Sequence, residues 1–155
     1  TGATLPRDLL DKMLAAKNVN VGLNMARQIY LSTLDLEIHG TNPPTTAEGL
    51  QALVDQLRPE ISLIENPEGA NMLRSFGHLM NQYSAAYYGY LWAEVLSADM
   101  FAQCFEKDPF DAKAGKRYRD LVLAPGGVGK ILDHLTTFLG RPPSQEAFLK
   151  SRGIA

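Results

Sequence analysis

Apolar positions along the chain fall at helical spacing, and no strand-like alternation is sustained. A first helix is expected from about Pro6, with Thr4 as its cap and Leu9, Leu10, Met13 and Leu14 as its apolar stripe. Proline suits the first helical position because its missing N–H would have no partner there. Asn18-Val19-Asn20 interrupts the pattern. A second helix covers Val21 to His39, with Leu23, Ala26, Ile29, Tyr30, Leu34 and Ile38 recurring and Gly40 as its stop. The two prolines between Thr41 and Thr45 impose a loop. A third helix opens at Thr46 and reaches about Pro59, and Ser62 to Gly69 reads as irregular.

The longest apolar-rich stretch runs from Ser75 to Lys107. A short loop with Gly77 and His78 leads into a helix expected from an N-cap at Ser84 to about Lys107, a rod of roughly 36 Å. On it Tyr83, Tyr87, Tyr90 and Glu94 follow i, i+4, i+7, i+11 and are expected on one face. Leu91, Val95, Ala98 and Ala102 make an adjacent stripe suited to a core. Tyr88 and Trp92, i, i+4 neighbours, are expected in that core. Beyond a turn at Asp108-Pro109, Asp111 caps a helix through Leu123, with Tyr118, Leu121 and Val122 inward. Ala124 to Gly127 is a tight connection, Lys130 to Leu139 is helical, and Gly140 to Pro143 breaks it. Ser144 opens a final short helix with Ala147, Phe148 and Leu149, stopped by Gly153. The fold class read from this pattern is all-α, a single helical region over residues 1–155.

Charge and composition narrow the chemistry. A net charge of -2 gives no reason to expect nucleic acid or an anionic membrane as partner. No apolar run is long enough for a membrane span. The one cysteine, Cys104, can form no internal disulfide, which fits a reducing compartment, and beside Phe101 and Phe105 it reads as a small buried hydrophobe. The GGVGK run at Gly126 to Lys130 lacks two requirements of a phosphate loop, because Ala124 stands where a glycine is needed and Ile131 where Ser or Thr is needed. His39, His78 and His134 have no histidine partner at i, i+4, so no metal site is expected from this chain alone. His39 ends a helix, where a cation is favoured, and His134 is expected at the surface or the core edge.

The tyrosines carry the remaining chemistry. A buried phenol needs a partner for its hydroxyl. Three on one face therefore call either for several partners or for a wet cleft. A phenol near its reference pKa of about 10 stays protonated at neutral pH and donates a hydrogen bond, which suits a negative oxygen growing on an attacked carbonyl. The residues alone leave core and cleft both open.

The segment FGHLMNQYSAAYYGYLWAEVLSADMF, from Phe76 to Phe101, closely resembles part of the thimet oligopeptidase and neurolysin family of zinc metallopeptidases, whose pattern is F-G-H-L-x-G-G-Y-x-A-x-Y-Y-G-Y-L-W-x-E-V. LPRDLLDKMLAAKNVNVGLNMARQIY resembles the helix pair after the family's metal site, and KRYRDLVLAPGG with FLGRPPSQEAFLKSRGI resembles its closing segment. The resemblance implies a bundle-like C-terminal portion of a larger, mostly helical enzyme whose deep, narrow channel admits short peptides. It implies zinc held by an H-E-x-x-H helix and a later glutamate, with the glutamate of the motif activating the bound water. Carried over by position, His78 binds the substrate backbone near the scissile bond beside Gly77. Tyr83 contacts the peptide from the loop, and Tyr87 and Tyr90 donate to substrate carbonyl or oxyanion oxygens. His78, Tyr87 and Tyr90 are thus the implied catalytic set.

Two departures stand out. Asn81 and Gln82 replace the family's glycine pair, which predicts a stiffer or reshaped loop, and Ser84 replaces an Asp. No H-E-x-x-H occurs in the chain, so the metal helix is expected upstream of Thr1 and zinc only in the complete enzyme. The expected partners are short peptides and the N-terminal part of the same protein, with self-association through faces left uncovered, and the isolated chain is expected to be inactive. The expected compartment is the cytoplasm, with the mitochondrion as alternative. The other readings are a non-catalytic helical peptide- or protein-interaction module and a purely structural domain.

Overall fold

Helical spacing becomes helix along most of the chain. The computed structural model describes Gly2 and residues 4–154. Among them are α1 (Arg7–Ala15), α2 (Val21–Ile38), α3 (Ala47–Ser62), α4 (Gly89–Cys104), α5 (Ala112–Tyr118), α6 (Ile131–Leu139) and α7 (Glu146–Ser151), with no strand among the described residues. The all-α expectation is met. The chain folds as two compact units, Thr1–Tyr90 and Leu91–Ala155.

In the first unit α2 and α3 pair. Tyr30, Leu31 and Leu34 of α2 meet Val54 and Leu57 of α3, and Tyr87 completes this buried cluster. Thr46 caps α3, its hydroxyl accepting from Gly49 N at 3.0 Å. The helix continues past Pro59 to Ser62, further than expected. Proline removes one amide donor but not the burial of Ile61, which packs on the same cluster. One expectation for α1 fails. Thr4 is not its cap, since Pro6 occupies that position with no side-chain hydrogen bond. The stripe of Leu9, Met13 and Leu14 forms but stays exposed, and α1 buries no residue. Leu23 and Ile29 of α2 are likewise exposed.

In the second unit α6 supplies the buried Leu135, Phe138 and Leu139, and α7 adds Phe148. The Phe138 ring lies 6.4 Å from Phe105 and 5.8 Å from Tyr118. Arg117 covers its face and donates to its carbonyl oxygen at 2.8 Å. Asp111 caps α5 as expected, accepting from Lys113 N and Ala114 N, and the helix passes into a π-helical turn at Arg119–Leu123. Tyr118, Leu121 and Val122 are half-buried. Asp99 of α4 is buried and accepts from both terminal nitrogens of Arg141, at 2.8 and 2.6 Å, and from Ser144 N at 2.8 Å. Cys104 is half-buried, and burial raises its thiol above the ordinary range. His134 is half-buried, with Nε2 2.9 Å from Val128 O.

The central helix departs most from expectation. It begins at Gly89, not at Ser84, and ends at Cys104. Leu91, Val95, Ala98 and Ala102 are half-buried, but Tyr88 and Trp92 are exposed rather than in the core. Apolar residues lie on every side of α4, so spacing alone could not say which side is covered. No described helix is long and apolar enough to cross a membrane.

Candidate functional site

The site is built on turns. A 3-10 turn at Met72–Arg74 leads through Phe76 into a second at Gly77–Met80, which carries His78. Asn81 follows in extended backbone, and its Nδ2 donates to Gly77 O at 2.6 Å, closing the loop on itself. Neither Asn81 nor Gln82 takes a positive φ, so these positions do not demand glycine here. Ser84 does not cap a helix. Its hydroxyl points back and donates to the carbonyl oxygens of Leu79 and Asn81, each 2.8 Å away.

Ala85 then takes a left-handed backbone with φ of 57°, a region that L-residues other than Asn and Asp seldom occupy. The carboxylate of Asp35, in the last turns of α2, meets this bend. One oxygen accepts from Ala85 N at 3.0 Å and the other from Tyr87 N at 2.9 Å. These captured amides explain why α4 starts late, because the chain ahead of it satisfies its donors by reaching across to α2. His39 Nδ1 lies 3.0 Å from the same carboxylate and 2.8 Å from Asp35 O. The histidine at the helix end therefore faces a specific anion as well as the helix dipole.

The bend gathers the aromatic residues without placing them on one helical face. The His78 ring centroid lies 5.4 Å from Tyr83, 5.3 Å from Tyr87 and 5.7 Å from Tyr90. Tyr90 lies 5.0 Å from both Tyr83 and Tyr87. Tyr87 is 7% exposed, its ring against Phe76 at 5.2 Å, whereas Tyr90 is 40% exposed. Beside them opens a cleft of about 530 Å³ lined by Ser75, Gly77, His78, Asn81, Gln82 and Tyr83. The Tyr90 phenol is pushed up to about 12, chiefly by the neighbouring Tyr83 hydroxyl and further by desolvation and the Tyr87 phenol. It is a durable proton donor at neutral pH.

Glu94, expected to share the tyrosine face, forms an ion pair with Arg152. Among the described residues no three His, Cys, Asp or Glu side chains come together to hold a metal ion. Asp35 is the residue that sequence reasoning missed. Its signal was register, since it falls four residues after the buried Leu31 and next to Leu34, on the covered side of α2.

The model of Peptidase family M3 matches residues 1–154. Saccharolysin of Saccharomyces cerevisiae is 45% identical over 163 residues, which take in 99% of this chain and 22% of the relative. Oligopeptidase A of Escherichia coli is 34% identical over 155 residues, with 99% of this chain and 23% of the relative covered. Thimet-like oligopeptidase of Dictyostelium discoideum is 38% identical over 150 residues, with 97% and 22% covered. The chain thus spans about a fifth of the length of these curated relatives.

Proposed function

The chain belongs to peptidase family M3, and we propose that it forms the substrate-binding wall of a zinc metalloendopeptidase that hydrolyses short peptides. In this reading it is the C-terminal subdomain of the catalytic domain. His78 and Tyr83, beside Gly77, bind the peptide backbone. Tyr87 and Tyr90 donate hydrogen bonds to the carbonyl oxygen as it gains charge, Tyr87 anchored by its buried ring and Tyr90 from the surface. Donors fixed in advance stabilise such an oxygen more than water does, because they need no reorganisation during the reaction. The described side chains do not fit a zinc site. In this reading the metal is held by residues elsewhere in the complete protein, and the role of this chain is to bind and orient.

The observation that carries the reading is the convergence of one imidazole and three phenols, with ring centroids 5.0 to 5.7 Å apart, beside an open cleft. The test is Tyr90→Phe in the full-length, zinc-loaded protein with a short quenched fluorescent peptide. Turnover should fall on the order of 100- to 1,000-fold, with KM and melting temperature nearly unchanged. Unchanged kcat with a lowered melting temperature would support the purely structural reading instead.

A second reading, a helical interaction surface, is favoured by the exposed stripe of α1. We assign that stripe to contact with the remainder of the same polypeptide. The single free cysteine favours a reducing compartment, the cytoplasm first and the mitochondrion second.

A further inference from the structure

Asp35 faces neither the cleft nor solvent. It is fully buried, with an exposure of 0%, and a buried carboxylate is costly unless its oxygens are paired. Both oxygens are used, and both amide contacts reach one short bend about fifty residues away in sequence, at Ala85 N and Tyr87 N. That bend contains the strained backbone of Ala85, a conformation that persists only where its surroundings enforce it. The sequence between Ser84 and Gly89 has no proline and would otherwise continue α4 toward its N-terminus. Asp35 offers the amides of Ala85 and Tyr87 a better partner than a further helical turn.

We propose that Asp35 is a positioning residue for this site. Its carboxylate, backed by His39, stops α4 at Gly89 and holds the bend, so that Tyr87 and Tyr90 stay packed against His78 and Tyr83. The proposal rests on the peptidase reading above. Asp35 touches no substrate in it and acts only through the backbone that carries the tyrosines. Releasing the bend lets Ala85 relax to a right-handed conformation and lengthens α4, which rotates the Tyr83 and Tyr87 side chains relative to His78.

The experiment uses the full-length, zinc-loaded protein with Asp35→Asn, Tyr90→Phe, the two combined, and Asp35→Asn with Ala85→Gly. Asp35→Asn should lower kcat on the order of 100-fold, as expected for donors displaced by about 1 Å, and raise KM by a smaller factor, because Tyr83 moves relative to His78. Exchange of the Ala85 and Tyr87 amides should quicken by about tenfold or more while the α2–α3 core stays protected. Ala85→Gly should restore part of the lost turnover, because glycine adopts the left-handed bend without the clamp. In the Tyr90→Phe background the loss from Asp35→Asn should shrink, since the two act through one group. If Tyr90→Phe impairs turnover while Asp35→Asn does not, the positioning role is overturned and the peptidase reading stands. If Tyr90→Phe leaves turnover intact, the peptidase reading fails, and the positioning role with it. Should Asp35→Asn not fold, exchange in the unsubstituted protein decides. Ala85 and Tyr87 amides as slow as those of the α2 core support the clamp, and amides as fast as that of exposed Gln82 overturn it.

Discussion

Tyr90 and Asp35 show how differently single residues reveal themselves. Tyr90 could be picked out by type, since an exposed phenol near a histidine is already a plausible donor. Its environment keeps the proton on to higher pH by holding the phenol at about 12 instead of 10. The sign follows from linkage: a folded value above the unfolded one gives a stabilising contribution that is complete below pH 10 and lost as pH rises from 10 through about 12. A spectrophotometric titration should therefore show a tyrosine ionising near pH 12, distinct from the ordinary ones, and Tyr90→Phe should remove that step. Burial raises Tyr30 as well, so the variant is needed to assign it. Ionisation of Tyr90 together with ordinary tyrosines would contradict the geometry around Tyr83. His78, Tyr83 and Tyr87 were legible as candidates in the same way as Tyr90, by type and by resemblance to the family's pattern, and the structure brings their rings together. Asp35 was not, because its importance lies in two backbone amides that no side-chain pattern encodes.

At the scale of elements, helix type and order were readable, whereas ends and covered faces were only partly so. The cap at Asp111 and the Gly140 stop, with φ of 74°, follow from local chemistry and were found. The start of α4 was misplaced because a long-range carboxylate decides it. Tyr88 and Trp92 were misplaced because a helix that is apolar all round has no readable stripe. The Asp99–Arg141 pair was missed for a related reason, since its partners lie far apart in sequence. It makes a clear prediction. Arg141 and the Ser144 amide hold the Asp99 carboxyl below its usual value. Asp99 therefore stabilises the second unit above the ordinary carboxylate value of 3.8, and this contribution is lost as pH falls through the lowered folded value. Asp99→Asn should cost about 2 kcal/mol at neutral pH, the scale of a charge-assisted hydrogen bond. The gap between variant and parent in urea unfolding should close at low pH, and an equal gap at pH 7 and well below the carboxylate range would refute this.

For the whole molecule, the sequence announced an all-helical chain, and family likeness announced its relatives. The amphipathic α1 was expected, but which of its residues would be covered was not, and it buries none. The stripe of Leu9, Met13 and Leu14 has the right period but meets nothing among the described residues that covers it. Exposed apolar surface of this kind marks contact sites or association liabilities. The isolated 155-residue chain should therefore self-associate with rising concentration in sedimentation velocity and cleave no peptide when zinc is supplied. Replacing Leu9 and Met13 by serine should reduce the association while changing stability by no more than about 0.5 kcal/mol. A monodisperse monomer at high concentration, or zinc-dependent cleavage by the chain alone, would count against this picture. The solvent-facing indole of Trp92 offers a way to test the proposed contact with the remainder of the polypeptide. It is the sole tryptophan and 55% exposed, so the isolated chain should fluoresce as a hydrated indole does, quenchable by iodide. With the proposed remainder of the polypeptide supplied in a tryptophan-free form, a blue shift and loss of quenching would report that the exposed flank of α4 has been covered.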